Sequence, residues 1–157
     1  MLEILGFFSI AWTDPWLIFL VAAGTVAGIY VGAIPGLSVT MATSILISFT
    51  FKWDVNEALA LISGVFFGGV YGGSRTAILL NIPGAPSAIA TALEGYPLAK
   101  RGEAGEAIGL TTVMSVFGGF VGIIALALFA PIISSFALMF QSRDYLLLGL
   151  IGIFLVG

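Results

Sequence analysis

Three stretches of this chain, residues 15–51, 58–74 and 107–142, contain no charged residue. Each supplies roughly the 20 apolar residues that an α-helix needs to cross a hydrocarbon core about 30 Å thick. The whole chain is 60% hydrophobic and 8% charged, with a mean hydropathy of +1.19. That leaves too little polar surface to enclose a soluble core of this length. Lipid is therefore the expected solvent, and an all-α, polytopic helical bundle is the expected fold, because a spanning helix satisfies its own backbone.

The rest of the composition narrows the chemistry. With no Cys and no His, disulfides, thiolate metal sites and imidazole catalysis are excluded. The acidic residues fall in termini and loops rather than in pairs within a span, so no enzyme and no metal site is expected. Glu3 and Asp14 stand where a signal peptide would carry basic residues, which implies membrane insertion rather than secretion. After Asp144 only residues 145–157 follow, an apolar run too short to span. Residues 1–157 are thus read as one transmembrane module, the N-terminal part of a longer protein, with the chain ending inside a helix.

Along the chain, residues 16–33 make a first span anchored by Trp12 and Trp16, interrupted at Pro35 and Gly36. Residues 38–51 are apolar but short, either a re-entrant limb or a thin span. Asn56 is expected to cap the next helix, over residues 57–71, with Gly72, Gly73 and Ser74 as the weak point where helix gives way. Pro83, Gly84 and Pro86 mark a break. A half-helix over 87–93, capped by Ser87, should then lead into an aqueous loop over 94–106. Residues 107–130 read as a further span closed by Pro131, and 132–140 as a short interfacial piece.

Glycines recur every four residues at Gly24, Gly28, Gly32 and Gly36, and again at Gly64, Gly68 and Gly72. Gly118 and Gly122 add a third pair. Small-residue ridges of this kind let backbones approach closely where no hydrophobic force drives helices together. Packing alone does not explain why two ridges run straight into breaks.

The breaks carry the expected chemistry. Ile34-Pro35-Gly36 precedes a short helix beginning near Ser38 and Thr40, and Ile82-Pro83-Gly84 precedes another beginning near Pro86 and Ser87. A helix interrupted in the membrane frees N–H groups that a ligand can satisfy, and its positive dipole end favours an anion. Arg75 is the sole charge between Glu57 and Glu94. Its planar fork of donors matches a carboxylate, with Ser74, Thr76 and Asn81 beside it to orient the ligand. The alternative is that Arg75 snorkels or caps freed carbonyls. The candidate substrate-binding set is Pro35, Gly36, Ser38, Thr40, Ser74, Arg75, Thr76, Asn81, Pro83, Gly84 and Ser87. Backbone helicity is expected to fail at both breaks, with the two close in space.

Three motifs carry a family resemblance. Gly28-Ile-Tyr-Val-Gly32-Ala-Ile-Pro35-Gly36-Leu37 resembles a GxxxGxxPGL motif. Tyr71-Gly-Gly-Ser-Arg-Thr-Ala-Ile-Leu-Leu-Asn-Ile-Pro-Gly84 resembles a YGGS…AILLNIPG motif, and Glu94-Gly95-Tyr96-Pro97-Leu-Ala-Lys100-Arg-Gly102 a (D/E)GYPxAxxG loop. All three belong to the large membrane subunit of bacterial tripartite tricarboxylate transporters, the TctA family. The resemblance implies a multi-pass protein of the bacterial inner membrane, surrounded by lipid, that takes up citrate or a related carboxylate. It also implies a proton or sodium gradient as driving force, no other cofactor and no nucleic acid. The implied partners are a periplasmic solute-binding protein (TctC-like) and a small membrane subunit (TctB-like). The family is longer, with a second half carrying its own Pro-Gly motif, so this chain corresponds to one half of an inverted-repeat transporter. A reading from another class is a non-transporting membrane scaffold, in which the ridges and Arg75 serve packing alone.

Overall fold

A computed structural model describes residues 13–34 and 36–156. All elements among them are helical. In order they are α1 (Pro15–Ala33), α2 (Val39–Thr50), α3 (Val55–Leu80), a single 3-10 turn (Pro86–Ala88), α4 (Ile89–Lys100), α5 (Ala104–Ala137) and α6 (Ser142–Val156). Helices α1, α3 and α5 are long and apolar enough to cross a membrane. The expectation of an all-α membrane protein holds.

The chain divides into two units, one ending at Met114 and the other Ser115–Gly157. In the first, α1 and α3 are packed through their glycines. A methyl at Gly24 would lie 2.6 Å from the Leu61 carbonyl oxygen, one at Gly28 2.8 Å from the Val65 Cα, and one at Gly32 2.9 Å from the Gly69 Cα. On α3, Gly64, Gly68 and Gly72 answer with equally close approaches to Val21, Thr25 and Ile29. The partners advance together along both helices, so α1 and α3 run parallel. Their starts are joined where the Trp16 Nε1–H donates to Glu57 at 3.1 Å.

Parallel neighbours need a return path, and α2 provides it. The Val39 side chain sits against Gly69, and the chain must be back at the start of α3 by Asp54. Twelve helical residues cover about 18 Å, close to the roughly 21 Å of α3 between Val55 and Gly69. Helix α2 is therefore a limb that turns back within the length of α3. Beyond Gly73, α3 continues for about another 10 Å.

Several boundaries differ from the sequence expectations. Helix α3 does not yield at Gly72 and Gly73; both are buried, and the packing of Gly72 on Ile29 and of Gly73 on Gly84 outweighs their poor helix propensity. Its N-cap is Asp54, whose carboxylate accepts the Asn56 amide at 2.8 Å, rather than Asn56. Residues 94–100 are helical and not loop: α4 passes through Pro97, and it is packed on α3 so closely that a methyl at Gly95 would lie 2.7 Å from the Ile78 Cγ1. Ser87 makes no capping bond.

In the second unit, the later part of α5 passes through Pro131, and the separate piece expected over 132–140 is instead helical to Ala137. A proline is tolerated in a membrane helix where neighbours re-satisfy the freed carbonyl. Phe140 stands between Phe136 and Tyr145, with ring centroids 5.7 and 5.9 Å away. Asp144 accepts the Gln141 amide at 2.8 Å at the head of α6.

Candidate functional site

The described residues at both breaks are shaped by local hydrogen bonds and backbone conformation. After α1 the Ile34 amide bonds the Val31 carbonyl at 3.2 Å, and the Leu37 amide bonds Ile34 at 3.2 Å. Gly36 takes φ +91°, a left-handed conformation that side chains disfavour. Nothing approaches within 4 Å of a methyl built there, so the backbone alone requires glycine. Pro35 lies outside the described residues. After α3, Asn81 turns the chain at φ 59°, an αL position that Asn tolerates. The Asn81 amide bonds Ala77 at 3.2 Å, Ile82 bonds Thr76 at 3.4 Å and Gly84 bonds Gly73 at 3.4 Å. The second break thus folds back along the last two turns of α3, to the level where α1 ends.

The two breaks line one cavity of about 410 Å³. Gly36, Leu37 and Ser38 come from the first, and Pro83, Gly84, Ala85 and Pro86 from the second, with Ile89 at the start of α4. The heads of two helical segments therefore meet at one space, as the sequence led us to expect of the breaks.

The capping pattern distinguishes these helix starts from those of α1 and α3. Asp14 caps α1 through the Trp16 amide at 2.9 Å, and Asp54 caps α3. At the cavity no side chain caps α2, nor the Pro86–Ala88 turn, nor α4. Ser38 occupies the N-cap position of α2 in an extended conformation, but its hydroxyl is bonded to that of Thr40 at 2.5 Å. The first-turn amides of α2 have no acceptor within their own helix, and the dipole at that end favours negative charge. A carboxylate in the cavity would supply both what the amides and what the dipole lack.

The remaining candidates are distributed as follows. Thr40 reaches the cavity edge through Ser38, and Ser87 follows Pro86 without lining the space. Thr76 is buried with its hydroxyl on the Gly73 carbonyl at 3.0 Å, and Ser74 bonds the Tyr71 carbonyl at 2.7 Å. Asn81 serves the turn through its backbone. Arg75 is not at the cavity. Two residues along a helix make a rotation of about 200°, so Arg75 points away from the Gly73 face that meets the second break. Its guanidinium lies 3.6 Å from the Tyr71 ring centroid, bonds the Tyr71 hydroxyl and reaches the Thr112 hydroxyl on α5 at 3.4 Å. Tyr71 and Thr112 are themselves bonded at 3.0 Å. Among the described residues no carboxylate pairs with Arg75.

The lining residues Leu37, Ala85 and Ile89 were not foreseen as part of the site, and Pro86 was expected only to mark the break. Their adjacency to the two Pro-Gly pairs was the available signal, since whatever follows a break lines the space it opens. A second groove, about 370 Å³, runs between α1, α2 and α3 past Val31, Met41, Ile45 and Leu61. Its walls are almost wholly apolar, which suits hydrocarbon and not a carboxylate.

The family described as tripartite tricarboxylate transporter TctA matches residues 18–157. A curated relative from Agrobacterium vitis, described as an uncharacterized 52.8 kDa protein in the TAR-I ttuC' 3'region, is 38% identical over 130 residues. The match covers 83% of this chain and 26% of the relative, so the chain spans about a quarter of that protein's length. No solved structure matches.

Proposed function

Because the chain belongs to the tripartite tricarboxylate transporter TctA family, we propose that it carries part of the carboxylate site of that system's large membrane subunit. On this reading the full-length protein takes up citrate or a related carboxylate by secondary active transport in the bacterial inner membrane. A proton or sodium gradient drives it, a periplasmic binding protein delivers the substrate, and a small membrane subunit completes the assembly. The support for these finer statements is the family description together with the chemistry of the cavity.

One observation carries the proposal: two helix starts without a side-chain cap meet at one space, while the helix starts of α1 and α3 carry an aspartate. Gly36, Ser38, Pro83 and Gly84 border the proposed ligand, with Pro35 beside them in sequence and Thr40 and Ser87 in support. Arg75 is assigned with Tyr71 and Thr112 to a polar contact, within the first unit, between α3 and the beginning of α5. Ser74, Thr76 and Asn81 shape the end of α3 and the turn that follows. A non-transporting scaffold would account for the glycine ridges and for Arg75, but it gives no reason to leave those helix starts open.

The test is Ser38→Asp in the full-length protein. An aspartate at this N-cap position supplies the missing acceptor and places a negative charge where the substrate would sit. Thermal stability should hold or rise while citrate affinity falls at least about tenfold, the equivalent of about 1.4 kcal/mol. Citrate affinity equal to wild type in a folded Ser38→Asp protein would contradict the proposal and favour the scaffold.

A further inference from the structure

We propose that Gly32, Gly73 and Gly84 form a backbone clasp that sets the separation of the two breaks, and with it the width of the cavity; the consequence for ligand binding rests on the carboxylate reading above. The three residues belong to the end of α1, the last third of α3 and the second break. A methyl on Gly84 would lie 2.7 Å from the Gly73 Cα and closer still to the Gly32 carbonyl oxygen, and one on Gly73 would lie 3.2 Å from the Gly84 Cα. The Gly84 amide donates to the Gly73 carbonyl at 3.4 Å, and the buried Thr76 hydroxyl donates to the same oxygen at 3.0 Å.

Every near neighbour at this point is backbone. A clash with a side chain is relieved by a rotamer change, but a clash with backbone moves the segment that carries it. The segment here is residues 81–86, one wall of the cavity. Gly36 is a useful contrast, because it lines the same space with nothing near it and so cannot set a spacing. The clasp also accounts for the course of the two glycine ridges. Gly32 ends the ridge of α1, Gly73 directly follows the ridge of α3, and Gly84 closes on both.

The clasp is tested in the full-length protein by the rate of disulfide formation between Leu37→Cys and Ala85→Cys, one on each wall. Gly73→Ala, Gly73→Val and Gly84→Ala are introduced into that pair, with Gly118→Ala as control because nothing lies within 4 Å of a methyl there. The rate should fall modestly with Gly73→Ala and about tenfold with Gly73→Val or Gly84→Ala, the scale expected when an overpacked contact separates. Citrate affinity of the same glycine variants should fall in the same order. Gly73→Ala is the decisive variant for folding, since Ala is the better helix former and a merely structural role would leave the helix firmer and the cross-link unchanged. Cross-linking at the control rate in all three glycine variants overturns the clasp. Slower cross-linking in the glycine variants, together with no citrate binding by the protein without these glycine changes, keeps the clasp and removes the carboxylate reading. Normal citrate binding with unaltered cross-linking removes the clasp alone.

Discussion

Gly28 and Val65 are packed so closely that a methyl at position 28 would stand 2.8 Å from the Val65 Cα. Contacts of this kind recur from Gly24 to Gly32 of α1 and from Gly64 to Gly72 of α3 and make the pair one parallel unit. In lipid such packing replaces the hydrophobic force that would join helices in water. Gly28→Ala should therefore destabilise the protein by about 1–3 kcal/mol, the usual cost of overpacking. Gly118→Ala, in open space, should be neutral or slightly stabilising because Ala is the better helix former. Thermal unfolding in detergent of the two variants, measured side by side, checks the contrast.

Asn81 is the turning point after α3. At φ 59° a β-branched side chain is strained by about 1–2 kcal/mol, whereas glycine is not. Asn81→Val should lower the unfolding temperature, and Asn81→Gly should leave it nearly unchanged. Equal destabilisation by both would mean that the Asn81 side chain, not its backbone conformation, is what matters.

Much of this arrangement was legible in the residues. The apolar run over residues 16–33 located α1, the two Ile-Pro-Gly segments marked both breaks, and the glycine ridges marked the surfaces through which α1 and α3 are packed. The failures have a common origin. Gly72 and Gly73 read as a weak point because propensity describes an isolated helix, and nothing in the local sequence shows that Ile29 and Gly84 fill the space beside them. Residues 94–106 likewise read as loop for their polarity and Pro131 as the close of a span, whereas the helices continue through Pro97 and Pro131. Arg75 was grouped with the second break by its nearness in sequence. Had α3 been taken as continuous to Leu80, the helical period would have put Arg75 on the far side from Gly73.

Arg75 now offers a clean separation of roles. Lysine preserves its charge but not the planar stack on Tyr71 or the fork that reaches Thr112. Arg75→Lys should reduce thermal stability, as should Thr112→Val, while citrate affinity stays within about twofold, well under the tenfold that about 1.4 kcal/mol would produce. A tenfold or greater loss of citrate affinity with unchanged stability would make Arg75 a substrate ligand.

The connectivity also fixes which segments share a membrane face. Trp16 and Glu57 join the starts of α1 and α3, so the turn at residues 51–54 lies at that end. The Lys100–Arg101 pair lies at the other, because α5 begins only three residues later at Ala104 and meets Tyr71 and Arg75 at Thr112. By the positive-inside rule that basic pair is predicted to face the cytoplasm. Gly102→Cys should react with a membrane-impermeant reagent only in opened cells, and Phe51→Cys should react in intact spheroplasts. Labelling of both from the same side would contradict the parallel packing of α1 and α3.

On the proposed function, the two Ile-Pro-Gly breaks form one carboxylate site. The most direct test of that reading is protection of Leu37→Cys and Ala85→Cys, introduced singly into the full-length protein, against a thiol reagent in the presence and absence of citrate. Both cysteines should react several-fold more slowly when citrate is bound, since one ligand in a cavity of about 410 Å³ shields both walls. Unchanged reactivity at both positions, in protein that demonstrably binds citrate, would place the site elsewhere.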